Sequence, residues 1–417
     1  MPSVNNEEVE ARLNALLTPA VWQQSAYFRQ LKLRDRILNL PLMVALVLTL
    51  LWRQVPSVHE LTRMLEREDL LWCKSVKVRQ QSLSERFLVF PAELFERVLK
   101  VLLPTLMQRW HERQQRPLPE AVAFARKQFN SLWIVDGSTL EALFRKLDAL
   151  QEAVPGQLAG KMCAMIDLVT QYPVEVWFNE HPHAFDTNFI PQILQRIEAN
   201  TLLLLDRGFY DFRFFADLIA QGSHFITRLK SNSRVQVLRS FSDTDTVKDY
   251  LIQLGTGQNN TPILTLRLIK VRFETQWYSY ITSVVDPQVL PPFVVADLYR
   301  RRWRIEEAFN ILKRVLNLGY LWTGSVNGIQ LQLWATWLFY AVLLDLGDAV
   351  ADALTVPTER ISLEMLFRGL YHFSQAYAKN KASDLVAYFA APENQDLDVV
   401  KTIRKPVLRL DLRPFPT

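Results

Sequence analysis

The sequence predicts an α/β protein: a helical front part, a middle part of strands alternating with helices, and a second helical part that closes the chain. Three observations carry this. From about residue 131 to 285, short apolar runs end at Asp, Gly or Pro turn signals and are separated by helix-period segments, the pattern of an α/β layer architecture. Residues 1 to about 115 and 326 to 417 keep to helical spacing instead. Between the front and middle parts, His111-Glu112-Arg113-Gln114-Gln115-Arg116-Pro117-Leu118-Pro119 is polar and proline-punctuated, and reads as a linker at a domain boundary.

In the front part, Pro56-Ser57 opens a helix through Leu61, Met64 and Leu65. A second helix is expected over residues 75–87, with Arg79, Gln80, Gln81 and Arg86 on its polar side. A third starts at Pro91-Ala92-Glu93 and continues through Leu94, Phe95, Val98, Leu99 and Leu102. Short helices with an Arg/Gln face suit a helix-turn-helix-like reader of DNA, although a plain helical bundle carries similar faces. Two longer apolar runs, residues 37–52 and 331–346, contain Asn39 and Pro41 and Gln332 and Asp345 respectively. A membrane span needs roughly 20 unbroken apolar residues, so both are expected to be buried helices and no membrane partner is expected.

In the middle part, the apolar run 131–135 ends at Asp136-Gly137-Ser138-Thr139. Residues 162–169 and 174–178 are further strands around a turn at Gln171-Tyr172-Pro173, and residues 188–197 form a helix. The leucine run 202–205 is a buried strand ending at Asp206-Arg207-Gly208-Phe209-Tyr210, followed by a helix over 211–220 and a strand over 224–229. Asp136 and Asp206 share a context: each ends an apolar strand and has Gly within two residues. Side by side, the two strands would bring both carboxylates to one sheet edge. Asp in such places also serves as a turn former or helix cap. From 231 to 292 the pattern is β again, with 264–272 and 277–285 alternating like hairpin strands and a loop over 255–260.

A helix follows over 299–313. Leu298, Ile305, Phe309, Leu312 and Leu316 form its apolar stripe. Beside it, Tyr299, Arg302, Glu306 and Lys313 fall within a sector of about 60° at 100° per residue. One carboxylate thus sits among two cations and a phenol, a grouping that a basic surface helix laced with Arg–Glu pairs would also produce.

The totals permit this organisation. The 417 residues, 49% hydrophobic and 22% charged, are enough for one large domain or a few smaller ones. The net charge of +5 allows a polyanionic partner without requiring one. Cys73 and Cys163 match no metal spacing and no disulfide framework, as expected of a reducing compartment. The polar, acidic N-terminus is unlike a signal peptide. His181-Pro182-His183 lacks a third zinc ligand at suitable spacing and reads as a loop, while Asp167 and Asp186 read as structural acids.

The spacing Y-x2-R-x3-E-x6-K over Tyr299, Arg302, Glu306 and Lys313, within the run Arg302-Trp303-Arg304-Ile305-Glu306-Glu307, resembles the signature of bacterial cut-and-paste DDE transposases of insertion-sequence family four. Val135-Asp136-Gly137-Ser138-Thr139 is similar to that family's first-aspartate motif, and Leu205-Asp206-Arg207-Gly208-Phe209-Tyr210-Asp211 to its second. The resemblance runs from about residue 57 to 345. It implies an RNase H-like mixed-sheet core at 116–325 with a β-rich insertion at about 231–292. An all-α DNA-binding domain at 1–115 precedes the core, and a helical region at 326–417 follows it. The implied catalytic triad is Asp136, Asp206 and Glu306.

Three converging carboxylates repel one another unless cations join them, and hard oxygen donors suit Mg²⁺ or Mn²⁺. Two such ions about 4 Å apart activate the attacking water or 3′-hydroxyl and stabilise the leaving oxygen. By resemblance, Tyr299, Arg302 and Lys313 contact the transposon end. In the Tn-five relative a tryptophan preceding this helix stacks on a flipped base; that place falls on Tyr278, with Trp277 adjacent, and only one of the two can face DNA because strand neighbours face opposite sides. The resemblance further implies terminal inverted repeats and target DNA as partners, a homodimer in the synaptic complex, and a cytoplasmic, nucleoid-associated protein of a bacterium. The rival reading is a catalytically inactive, transposase-derived DNA-binding protein; the presence of all three acids argues against it.

Overall fold

Residues 132–135 and 202–205 carry no polar side chain, as strands covered on both faces do. In the computed structural model they lie side by side at the centre of one sheet; the structure describes residues 7–33, 36–140, 160–255, 261–319 and 325–402. The strands are β1 Ser131–Thr139, β2 Lys161–Asp167, β3 Pro173–Asn179, β4 Thr201–Leu205, β5 His224–Arg228, β6 Val235–Asp243, β7 Val247–Leu254, β8 Leu264–Phe273 and β9 Gln276–Thr282. They are ordered β3-β2-β1-β4-β5-β9-β8-β7-β6. β1, β4 and β5 are parallel and every other pairing is antiparallel, so the sheet is mixed.

The two-residue period of a strand sorts its side chains between two cores. Leu132, Ile134, Leu202 and Leu204 face one, and Trp133, Val135, Leu203 and Leu205 the other. The β-rich stretch of the middle part extends the same sheet: β9 pairs with β5 through Ile226–Thr282 and Arg228–Tyr280, and β8, β7 and β6 follow outward. Between β7 and β8, Arg267 is wholly buried. It donates to both oxygens of Asp249 at 2.8 and 2.6 Å and to the Leu290 carbonyl at 2.6 Å.

The helices are α1 Glu7–Trp22, α2 Ser25–Gln30, α3 Leu40–Trp52, α4 Val58–Arg67, α5 Gln80–Val89, α6 Glu93–Glu112, α7 Glu120–Ala125, α8 Ile190–Arg196, α9 Phe212–Ala220, α10 Pro292–Arg301, α11 Trp303–Asn310, α12 Val326–Ala353, α13 Leu363–Ala378 and α14 Leu385–Ala390. The expected apolar helices are both present and both buried. Asn39 caps α3 through Leu42 N at 3.0 Å, and every residue of α3 except Pro41 is buried. Ser325 caps α12, which is long and apolar enough to cross a membrane but is the central helix of the core, packed against α3, α5 and α6.

Two local expectations differ from what is observed. Residues 75–79 are not helical, because Asp69 pairs with Lys74 at 2.6 Å and accepts from Ser75 N, while Val76 N bonds to Leu65 O. Helix α5 therefore starts at Gln80. Its Arg86 points inward, donating to Leu38 O at 3.2 Å between the rings of Phe28 and Phe90, and so offers no polar face there. The polar stretch after α6 is anchored rather than loose. Arg113 Nη1 lies 2.8 Å from Asp345 Oδ1 and 3.0 Å from Asp348 Oδ2, and Arg116 reaches Asp348 as well, all on α12.

Candidate active site

The pairing of β1 with β4 places Val135 opposite Leu205, so the next residue on each strand, Asp136 and Asp206, emerges at the same carboxyl edge. Asp136 is only 8% exposed. Its Oδ1 accepts from Gly137 N at 2.8 Å, while Asp206 accepts from Gly208 N at 3.2 Å at the head of a short turn.

Glu306 arrives from the helical segment above. That segment was expected to be one helix, but it has a joint at Arg302, between α10 and α11, closed by three-residue bonds from Arg302 N to Tyr299 O and from Ile305 N to Arg302 O. The buried Arg302 side chain points at the sheet edge. Its guanidinium donates to Asp136 Oδ2 at 2.7 Å and to Glu306 Oε1 at 2.9 Å, and lies 3.5 Å from Asp206 Oδ1. One guanidinium thus touches all three of the acids singled out in the sequence. The Asp136 carboxyl is pushed up to about 7 in all: burial raises it most, Arg302 pulls against that, and Asp206 and Asp186 add to the rise.

A fourth carboxylate stands at the same edge. Asp186 lies against the α-carbons of Gly137 and Gly208, and its Oδ1 is 2.7 Å from Lys161 Nζ. Neither Asp186 nor Lys161 sits at the end of an apolar strand, so no local pattern groups them with the three acids.

The remaining candidates are placed as follows. Lys313 lies in a π-helical turn, Ile311–Val315, that follows α11, and its Nζ donates to Ser138 Oγ and Thr139 O, both at 2.7 Å, fastening the helical segment to the end of β1. Tyr299 is buried against Tyr280 with ring centres 5.3 Å apart, and burial raises its phenol above the ordinary value. Among the described residues, the Tyr299 hydroxyl and Arg302 Nε are buried without a well-formed hydrogen bond. Trp277 and Tyr278 divide as strand neighbours must. Trp277 is 38% exposed, with Lys248 and Arg272 near its ring, while Tyr278 packs edge-on against Phe273. Both sit at the start of β9, which runs antiparallel to β5, and so lie toward the edge that carries Asp136 and Asp206.

Among the described residues no group of three or more His, Cys, Asp or Glu is ready to hold a metal ion, and His181 and His183 form no such group. At the three acids a side-chain cation, Arg302, stands between the oxygens. The donor chemistry nevertheless fits hard divalent ions: the carboxylates carry more negative charge than one guanidinium balances.

Residues 127–342, about half of the chain, match the model of the transposase DDE domain, and Asp136, Asp206 and Glu306 all fall inside that match. The chain belongs to the DDE transposase family. It is 27% identical over 183 residues to the transposase-named protein y4zB of Sinorhizobium fredii, covering 42% of this chain and 50% of that one. It is 23% identical over 191 residues to the transposase InsG for insertion sequence element IS4 of Escherichia coli, covering 43% and 42%. The chain thus spans half or less of the length of these curated relatives. A piggyBac transposase synaptic complex with hairpin DNA aligns at a TM-score of 0.38 and 13% identity over 97% of this chain and 85% of that one, too slight a likeness to bear on the fold. Within this DDE transposase-family chain the matched segment ends inside α12, so the family model covers the acids and the sheet but not the front helices α1–α6.

Proposed function

We propose that this chain is a DNA transposase that cleaves and rejoins strands at the ends of an insertion sequence by a cut-and-paste route, with Asp136, Asp206 and Glu306 as its catalytic, metal-holding carboxylates. The observation that carries the reading is the meeting of these three acids on one guanidinium, at one sheet edge, inside the segment that matches the DDE domain. The order β3-β2-β1-β4-β5, with β1, β4 and β5 parallel and β2 antiparallel, supports an RNase H-like core, extended by β6–β9 as the insertion. The corresponding division is a DNA-binding region at 1–115, the core at 116–325 and a helical region at 326–417. The partners are terminal inverted repeats, target DNA and a second copy of the chain in the synaptic complex, in the nucleoid of a bacterial cytoplasm.

Mg²⁺ or Mn²⁺, two ions when bound, supplies activation of the attacking water or 3′-hydroxyl and stabilisation of the leaving oxygen. The chain's own residues hold and orient. The amides of Gly137 and Gly208 fix the Asp136 and Asp206 carboxylates. Lys313 ties the helix that carries Glu306 to the end of β1. The buried Tyr299 hydroxyl and Arg302 Nε are donors that a DNA phosphate oxygen would satisfy, and Lys313 follows on the same helical segment. A Mg²⁺-dependent nicking assay on DNA carrying the inverted repeats that flank the gene tests the proposal; binding without nicking would leave only the DNA-binding function.

Because α3 and α6 bury their apolar faces against α12, DNA recognition is measured on the full chain. Affinity for end DNA is expected to exceed that for random DNA, and its logarithm to fall against log salt by about 0.9 per phosphate contact. Equal affinity for both DNAs would remove selective recognition. Trp277 is the outward member of its pair, and an aromatic platform under a single base contributes about 1–3 kcal/mol. Trp277→Ala is therefore expected to slow second-strand cleavage roughly tenfold or more, by the same stacking scale, while sparing the first nick. Unchanged second-strand rates in a single-turnover assay would end the stacking role.

A further inference from the structure

Gly137 and Gly208 do two things at once. Their amides donate to the Asp136 and Asp206 carboxylates, and their α-carbons carry the Asp186 carboxylate between them. A Cβ on Gly137 would overlap Asp186 Oδ1, and one on Gly208 would overlap Asp186 Oδ2. Neither glycine has a positive φ, so the requirement at both places is for space rather than backbone freedom.

Asp186 is itself gripped. Lys161, opposite Thr139 on the neighbouring strand, reaches across with its Nζ 2.7 Å from Asp186 Oδ1 and donates to the Ala184 carbonyl at 2.7 Å. Both groups of this ion pair are largely buried. A carboxylate packed on the glycines that follow the two aspartates sits in their repulsive field, and Lys161 together with the glycine cradle supplies the hold.

We propose that Asp186, clamped by Lys161, is a positioning residue that fixes the separation and aim of Asp136 and Asp206 so that the two can share cations. The inference rests on the reading of those two acids as metal-holding carboxylates. Three separate elements meet at this point: the end of β1, the turn after β4, and the short 3-10 turn before α8. The Asp186 carboxylate packs against the backbone beside both aspartates. Outer groups of this kind orient the groups that bind an ion, and losing one typically weakens metal affinity about 10–100-fold.

The test is a Mn²⁺ titration of the full-length chain followed by electron paramagnetic resonance, which reads ion binding without any turnover, with the thermal midpoint measured alongside. Asp186→Asn is expected to weaken Mn²⁺ binding at least about tenfold. Gly208→Ala, which keeps the charge but pushes it out of the cradle, is expected to act in the same direction, as is Lys161→Met. Should Asp186→Asn fail to fold, the other two variants carry the test. Wild-type Mn²⁺ affinity in the folded variants, even with a lowered thermal midpoint, would overturn the clamp and leave Asp186 a merely structural acid. Asp136→Asn separates this from the underlying reading. If it loses Mn²⁺ while Asp186→Asn keeps it, the clamp alone fails; if it binds Mn²⁺ as the wild type does, the site reading fails and takes the clamp with it.

Discussion

Asp136→Asn is expected to lower cleavage of end DNA by at least about a thousandfold, some 4 kcal/mol of barrier, since metal-assisted stabilisation of a phosphoryl transition state is worth several kcal/mol. Its effect on DNA affinity is expected to stay within about threefold, because phosphate contacts dominate affinity and Asp136 makes none of them. The fold is expected to tolerate the change. The carboxylate is buried beside two other acids, which already disfavours its charge, and an amide of the same shape relieves that repulsion. An amide oxygen can still accept from Gly137 N or from Arg302, but not from both as the carboxylate does. Gel-shift and nicking assays on the same preparation decide the matter. Parallel loss of binding and cleavage would place Asp136 in folding rather than in chemistry.

The largest effect on stability is expected at the other end of the sheet. Asp249→Ala strands the Arg267 guanidinium in a site where it is wholly inaccessible and keeps only carbonyl acceptors. Breaking one side of a buried ion pair costs about 3–5 kcal/mol, because the remaining charge keeps its desolvation penalty and loses its partner. Urea unfolding followed by circular dichroism should show that loss. The double variant Asp249→Ala/Arg267→Met should recover much of it, since a well-packed apolar replacement for a buried pair is often neutral. A loss below about 1 kcal/mol in the single variant, the scale of an exposed pair, would show that water reaches the site.

Much of this architecture was legible in the residues. The apolar runs 132–135 in β1 and 202–205 in β4 each lead into Asp with Gly close behind, which announced both the central pair and the acids at its edge. The helices α3 and α12 were readable as buried because each run is apolar but interrupted. What escaped depended on distant partners. Arg302 reads in the sequence as a phosphate-contacting cation beside Glu306, and only the fold shows it turned inward as the hub of three acids. Arg113 and Arg116 looked like linker residues because Asp345 and Asp348 lie far along the chain. Strands β6 and β7 were not singled out within the β-rich stretch. Val237 and Leu238 on β6 are both exposed, so no alternation marks a buried face. Asp186 opens a short 3-10 turn before α8, where nothing in the local pattern points to the two glycines it packs against.

The central place of α12 also fixes an order of events during synthesis. Arg109 and Arg113 on the front side of the chain find Asp345 and Asp348 across separations of 236 and 235 residues. At a translation rate of 5–20 residues per second, the acids leave the ribosome roughly ten to fifty seconds after their arginines. Through that interval the apolar surfaces of α3 and α6 have no central helix to cover them. This is contact order made temporal: the nascent front helices cannot complete their core early, and the slowest pairings are those between α6 and α12. A chain that stops upstream of α12 is therefore expected to keep the apolar faces of α3 and α6 bare, which makes it a natural client for chaperones and proteases.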